Sequence, residues 1–266
     1  MTEAERQGAL DAIGAEVATC TRCRLHETRT KAVPGEGSAA TEVLLVGEGP
    51  GLNEDRSGRP FVGQAGTLLT ELLGSVGWRR EEVFITNVVK CRPPGNRDPE
   101  ADEIAACAPF LSRQLAALDP ALVVTLGRFS MARFNPGARI GQVHGTFQPA
   151  DPASGAPDSL AFAMYHPAAA LHQGQLKATL FRDMASVPTA LLQARERRNS
   201  GSTSPQRADI AAQPEPAAAT GPTAQASPVE GPAEEVSPVA TSESAVAAQS
   251  IELTPQTDPT DQLTLF

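Results

Sequence analysis

Val43-Leu44-Leu45-Val46 is a short apolar run that ends abruptly in Gly47-Glu48-Gly49-Pro50-Gly51. An apolar run this short, closed by glycines, reads as a buried strand feeding a tight turn. In open α/β sheets ligands bind outside the C-terminal ends of such strands. Small residues there let backbone N–H groups face a ligand closely. Glu54 and Asp55 follow, then Phe61, then a helix opening at Gly63-Gln64-Ala65-Gly66. The glycines do not match G-x-G-x-x-G and no G-K-[ST] follows, which argues against dinucleotide and P-loop nucleotide sites. A plain turn with a solvated acidic loop is the alternative.

The rest of the first 200 residues repeats the theme. Apolar strands are expected at 83–86, 122–126 and 160–164, and helices at 3–18, 64–76, 99–117, 128–134 and 168–196. Asp98 is the expected N-cap of the 99–117 helix, with Pro99 at its first position. Pro109 is expected to kink that helix and Pro188 to interrupt the last one. Strands alternating with helices indicate an α/β fold: a central, mainly parallel four-stranded sheet flanked by helices in three layers. Three strands end at polar residues, Glu48, Asn87 and His166, and in such a sheet these ends meet at one rim.

Four cysteines, Cys20, Cys23, Cys91 and Cys107, form one short C-x2-C pair and two distant partners. No apolar stretch reaches the roughly 18–20 residues of a membrane span, and the charged N-terminus lacks a signal-peptide core, so a cytoplasmic protein is expected. Cysteines in that compartment point to metal ligands or free thiols rather than disulfides. A structural zinc site usually pairs two short knuckles. A single knuckle, with the fourth cysteine on a helix, leans towards a 4Fe–4S cluster, with zinc as the alternative.

Taken together, Gly47-Glu48-Gly49-Pro50-Gly51-x-x-Glu54-Asp55, Gly58-Arg59-Pro60-Phe61-Val62-Gly63, Thr86-Asn87-Val88-Val89-Lys90-Cys91-Arg92-Pro93-Pro94 and His166-Pro167 resemble the family 4 uracil-DNA glycosylases over about residues 20–190. The cysteine spacing is similar to that family's 4Fe–4S ligand set. The resemblance implies a monofunctional monomeric enzyme of base excision repair. It flips uracil out of DNA, hydrolyses its N-glycosidic bond and leaves an abasic site.

The resemblance also implies roles. Phe61 is the face on which uracil stacks. Asn87 offers the acceptor and donor that read N3–H and O4. His166 meets O2 and stabilises the departing uracil anion, as a neutral or a charged ring. The Gly49 backbone contacts the base, and Glu54 sits near C5, where it excludes thymine's methyl group. Glu48 positions the attacking water or only holds the turn. Pro167 and Leu171 belong to a wedge loop that fills the hole left by the flipped base. Arg24, Arg29, Lys31, Lys90, Arg92 and Arg97 are candidate phosphate contacts, while His26, His144 and His172 are read as structural or surface groups. One branch of the superfamily traps uracil on a histidine in an inserted loop. This chain has no histidine between His26 and His144, so turnover is expected.

Beyond about residue 197 the composition changes. Residues 201–266 carry nine acidic residues and one basic residue, Arg207, so most of the net charge of −9 lies there. Residues 199–258 contain no aromatic residue, and such a segment buries too little apolar surface to offset chain entropy. The expected organisation is a catalytic domain over 1–197, a disordered linker over 198–260 and a terminal peptide over 261–266. Gln262-Leu263-Thr264-Leu265-Phe266 resembles the bacterial sliding-clamp-binding pentapeptide, with Thr264 where Ser or Asp is usual. Gln262, Leu263, Leu265 and Phe266 are its expected contacts. A flexible tether of roughly 60 residues spans about 40–45 Å r.m.s., long enough to work while held at a clamp on the nucleoid. The competing class is a non-catalytic iron–sulfur adaptor that binds DNA or recruits the clamp.

Overall fold

The computed structural model describes residues 1–171 and 173–202. The linker, the terminal peptide with Gln262, Leu263, Leu265 and Phe266, and His172 lie outside the described residues.

Six strands form one mixed sheet. They are β1 (Glu36–Gly37), β2 (Val43–Gly47), β3 (Phe84–Asn87), β4 (Leu122–Leu126), β5 (Phe147–Pro149) and β6 (Leu160–Met164), in the order β1-β3-β2-β4-β6-β5. The four expected strands are its centre, and they pair in parallel. The two antiparallel edges, β1 on β3 and β5 on β6, extend the expected sheet from four strands to six. Every residue of β2, β4 and β6 is buried, as expected for parallel strands covered on both faces.

Alternation along β2 divides the core. Val43 and Leu45 pack with Leu68, Leu69, Leu72 and Leu73 of α3 (Gln64–Ser75) and with the stripe Leu180, Met184, Val187, Ala190, Leu191 and Ala194 of α8 (Gly174–Ser202). Leu44 and Val46 face Leu10, Ile13 and Val17 of α1 (Glu3–Thr19) and Phe110, Leu111, Leu115 and Leu118 of α4 (Ala101–Leu118). The layers are therefore helix, sheet, helix.

Several boundaries differ from expectation. α4 starts after Glu100, whose backbone N–H donates to the Glu103 carboxylate (2.8 Å); Asp98 pairs with Arg128 instead. Pro109 lies inside a continuous α4, and Pro188 inside a continuous α8. A proline costs a helix about 3 kcal/mol, and the buried stripes on either side of each proline outweigh it. The break in the last helical region falls earlier, between α7 (Pro167–Ala170) and Gly174. Three short helices complete the architecture: α2 (Leu52–Ser57), α5 (Arg128–Phe134) and α6 (Ile140–Val143). No helix among the described residues is long and apolar enough to cross a membrane.

Candidate active site

In the centre of the sheet the chain order steps outward in both directions from β2, to β3 on one side and β4 on the other. Adjacent strand ends diverge at such a point and leave a crevice. A cleft of about 360 Å³ lies there, lined by Glu48, Gly49, Pro50, Gly51, Glu54, Phe61, Ala65, Asn87, Pro93, Asn96, Arg97, His166, Ala168 and Ala169. That volume suits a small ligand. The three strand ends singled out in the sequence therefore converge, joined by Gly49, Glu54 and Phe61.

Asn87 closes β3 in register with Gly47 of β2. It is 1% exposed, and its Oδ1 has no hydrogen-bond partner among the described residues. A buried orphan acceptor costs about 1–3 kcal/mol, so the fold retains an amide awaiting a donor. Gly47 makes room for it: a Cβ at that position would lie 2.4 Å from Asn87 Oδ1 and 2.6 Å from Phe61 Cζ.

Phe61 is buried and holds a left-handed backbone, φ 51°. That conformation is strained for a non-glycine residue, and two ionic side chains pin it. Glu54 Oε1 accepts the N–H groups of Val62 and Gly63, both at 2.8 Å. Arg80 donates to the carbonyls of Pro60 (2.8 Å) and Phe61 (3.0 Å) while paired with Glu36. The Phe61 ring lies 5.6 Å from the His166 ring, 28° from parallel.

His166 caps α7: its Nδ1 accepts the N–H of Ala168 at 3.1 Å. Burial pushes its pKa down to about 4, opposed by the nearby Glu54. The imidazole is thus neutral, and because Nδ1 accepts, Nε2 carries the proton. Glu48 is half-buried, and burial, aided by Asp98, raises its pKa, with Arg128 opposing. Pro167 is buried in α7, and Leu171 just beyond it is 42% exposed.

Cys20, Cys23, Cys91 and Cys107 are free thiols lining a second cavity with Val17, Arg22, Arg29 and Phe110. Arg29 donates to Cys91 Sγ (3.1 Å) and the backbone of Lys90 to Cys107 Sγ (3.3 Å). No carboxylate lines this cavity. Burial raises the Cys23, Cys91 and Cys107 thiols, Cys107 to about 11. Although the four thiols share the cavity, no group of three or more His, Cys, Asp or Glu side chains among the described residues is arranged to hold a metal ion.

The expected phosphate contacts fare differently. Lys90 is not on the surface: it is 1% exposed, and its Nζ donates to Thr86 Oγ1 (2.5 Å), Gln114 Oε1 (2.7 Å) and the Asn87 carbonyl (2.8 Å). Burial draws its pKa down to about 7. Arg24 and Arg97 both bind Glu103, whose side chain is wholly buried. Arg29 serves Cys91 and the Ala18 carbonyl, and Arg92 bonds Asn96 Oδ1. Lys31 is exposed. The brace roles of Lys90, Arg80 and Glu103 went unread in the sequence. For Lys90 the available signal was its place between Val88-Val89 and Cys91, an apolar stretch.

The sequence that builds this cleft has counterparts. Residues 34–186 match the model of the uracil DNA glycosylase superfamily. A type-4 uracil-DNA glycosylase of Saccharolobus solfataricus is 47% identical over 188 residues, 68% of this chain and 86% of that protein. The type-4 enzyme of Archaeoglobus fulgidus is 44% identical over 184 residues, 67% of this chain and 92% of its own. That of Thermotoga maritima is 49% identical over 135 residues, 51% and 70% of the respective chains. With the family model spanning the sheet and the cleft-lining strand ends, this chain belongs to the uracil-DNA glycosylase superfamily.

Proposed function

We propose that this chain hydrolyses the N-glycosidic bond of uracil in DNA and leaves an abasic site, a monofunctional first step of base excision repair. Family membership and the type-4 relatives support the activity. The observation that carries the assignment of the site is the unpartnered Oδ1 of Asn87, in a cleft with an aromatic face and an Nε2–H donor.

In this reading the flipped base stacks on Phe61. Asn87 Oδ1 accepts from N3–H and its NH2 group donates to O4, while the Gly49 backbone lines the base edge. His166 Nε2–H donates to O2, where negative charge grows as the bond breaks. A pre-aimed neutral donor there stabilises the anion without a proton having to move. Glu48 faces the water that adds to the sugar carbon. Glu54 stands at the C5 edge and holds the Phe61 turn. Pro167 and Leu171 present the wedge, the exposed Leu171 filling the vacated stack.

Cys20, Cys23, Cys91 and Cys107 suit a 4Fe–4S cluster. All four are sulfur donors on one cavity with no carboxylate beside them, and a single short C-x2-C pair with the fourth cysteine on a helix suits a cluster held by four thiolates. Such a cluster, when bound, supplies a brace between α1, the β3 exit and α4. The acidic C-terminal segment tethers Gln262, Leu263, Leu265 and Phe266 to a bacterial sliding clamp, and the enzyme works as a monomer in the cytoplasm, on the nucleoid.

Uracil release from a single-uracil oligonucleotide tests the activity, and a protein that releases none refutes it. A broad visible iron–sulfur absorbance tests the cluster; its absence from anaerobically purified protein containing zinc refutes it. Deleting residues 262–266 is expected to abolish co-migration with the clamp and to spare oligonucleotide activity. Loss of both contradicts the tether.

A further inference from the structure

Among the described residues Lys90 is the one lysine buried completely, and no carboxylate there pairs with it. An unpaired buried ammonium is expensive, yet its three N–H donors find three acceptors: Thr86 Oγ1, Gln114 Oε1 and the Asn87 carbonyl. The acceptors are fixed in turn. Gln114 Nε2 and Thr86 Oγ1 both donate to the Pro34 carbonyl, at 2.7 and 2.8 Å. This network clamps the last turn of β3 from behind to α4 and to the segment before β1. The main chain of the same lysine donates to Cys107 Sγ.

From these contacts we infer that Lys90 is a positioning residue: it fixes the peptide of Asn87, and so the aim of its side-chain amide, against the cysteine cavity. The inference rests on the proposed reading of Asn87 as the group that meets uracil. The Asn87–Val88 peptide plane cannot turn freely while Lys90 Nζ holds its carbonyl at 2.8 Å. The main chain here is otherwise anchored by Val88 N–H to the Gly47 carbonyl (3.0 Å) and Val89 N–H to the Glu48 carbonyl (3.1 Å). Those two bonds fix β3 against β2. The Lys90 contact fixes the Asn87 carbonyl itself, on the side away from the cleft. An Asn amide reads a base only when neighbours hold its orientation, because donor and acceptor exchange places on a flip. Lys90 fixes the main chain from which that amide projects, without touching the ligand.

The test uses the full-length, cluster-loaded protein and free uracil as a competitive inhibitor of oligonucleotide cleavage. An inhibition constant does not depend on the fraction of active molecules, so a merely structural defect lowers kcat and leaves it unchanged. Lys90→Met is expected to raise the inhibition constant for uracil about tenfold, in line with the loss of a charged hydrogen bond, and to raise KM in parallel. Gln114→Met keeps the lysine and removes one of its acceptors. It is expected to raise the constant about threefold, and it decides the question if Lys90→Met does not fold. Lys90→Arg, which restores a charged donor, is expected to recover part of the loss. Inhibition constants within twofold of the parent in every folded variant overturn the inference. A parent enzyme that releases uracil but is not inhibited by it contradicts the assignment of the cleft, which is a separate failure.

Discussion

The backbone N–H of Ala168 donates to Nδ1 of His166 at 3.1 Å, and this one bond fixes where the imidazole proton sits. Nε2 becomes a permanent donor towards the cleft, and burial keeps the ring neutral down to about pH 4. The pH profile of kcat/KM is therefore expected to show no step near 6.5, the ordinary histidine value. His166→Ala is expected to lower kcat about 10²–10³-fold, the usual effect of losing an oxyanion donor. Because the folded pKa is depressed, the unfolded chain takes up this proton first as pH falls. The stability contribution is full above 6.5 and is lost between 6.5 and 4. Urea midpoints at pH 7 and pH 5 check this, with His166→Gln expected to lose less stability than the parent.

Glu48 is expected to set a different limb. Burial raises its carboxyl above the ordinary range, and a carboxylate that positions water must be ionised. Activity is expected to fall on the acid side with an apparent pKa above about 4.5. Glu48→Gln is expected to remove that limb and to lower kcat about 10–10²-fold, a modest loss because a dissociative path needs little base strength. Single-turnover rates between pH 4 and 8 measure both. An unchanged limb in the variant would assign it to another group.

Glu54 acts on Phe61 through the main chain. Its Oε1 holds the N–H groups that follow the strained phenylalanine. Glu54→Ala is expected to raise the KM for uracil-containing DNA about tenfold or more, since it frees two N–H groups worth about 1 kcal/mol each. Glu54→Gln keeps an acceptor oxygen and is expected to stay within about threefold of the parent. Steady-state kinetics on one oligonucleotide separate these outcomes. Equal defects in both variants would mean that charge, not the hydrogen bonds, is what matters.

Much of this architecture is legible in the sequence, for definite reasons. β2, β4 and β6 are apolar runs closed by glycine or a polar residue, so burial on both faces is written into them. The edges β1 and β5 are two and three residues long and have no buried side chain; only the neighbouring strand creates them. α2 carries acids and a single buried residue, Asp55, so it has no apolar stripe to reveal it. Asp55 is instead tied to the Thr30 N–H at 2.8 Å. Motif order singles out Asn87, Phe61 and His166, and all three line the cleft. Lys90 was misread because a lysine followed closely by Arg92 and Arg97 looks like part of a solvated basic face, and the three acceptors that bury it come from Thr86, Asn87 and Gln114, the last on another element.

Glu103 joins two regions. Its buried carboxylate takes Arg97 (2.6 Å) from the cleft wall and Arg24 (3.1 Å) from the turn after Cys23. Hydrogen bonding from Arg97, more than any other contact, lowers its pKa to about 2. With the folded pKa depressed, its stabilisation is complete above about 4.5 and is lost as pH falls through 2. Glu103→Gln is expected to cost about 2–3 kcal/mol near neutral pH. That is less than a fully buried pair, since both arginines are partly exposed. Its stability should also fall less steeply than the parent's between pH 4.5 and 2.5, measured by urea unfolding.

The central claim, that a buried amide without a partner reads a flipped uracil, is tested most directly by uracil release. The parent protein and Asn87→Ala are compared on an oligonucleotide with one uracil, and on the same sequence with thymine in its place. The expected result is release from the uracil strand alone. Asn87→Ala should lower kcat/KM about 10²-fold, the loss of two base hydrogen bonds, while folding and visible absorbance match the parent. Undiminished release by Asn87→Ala would contradict the claim.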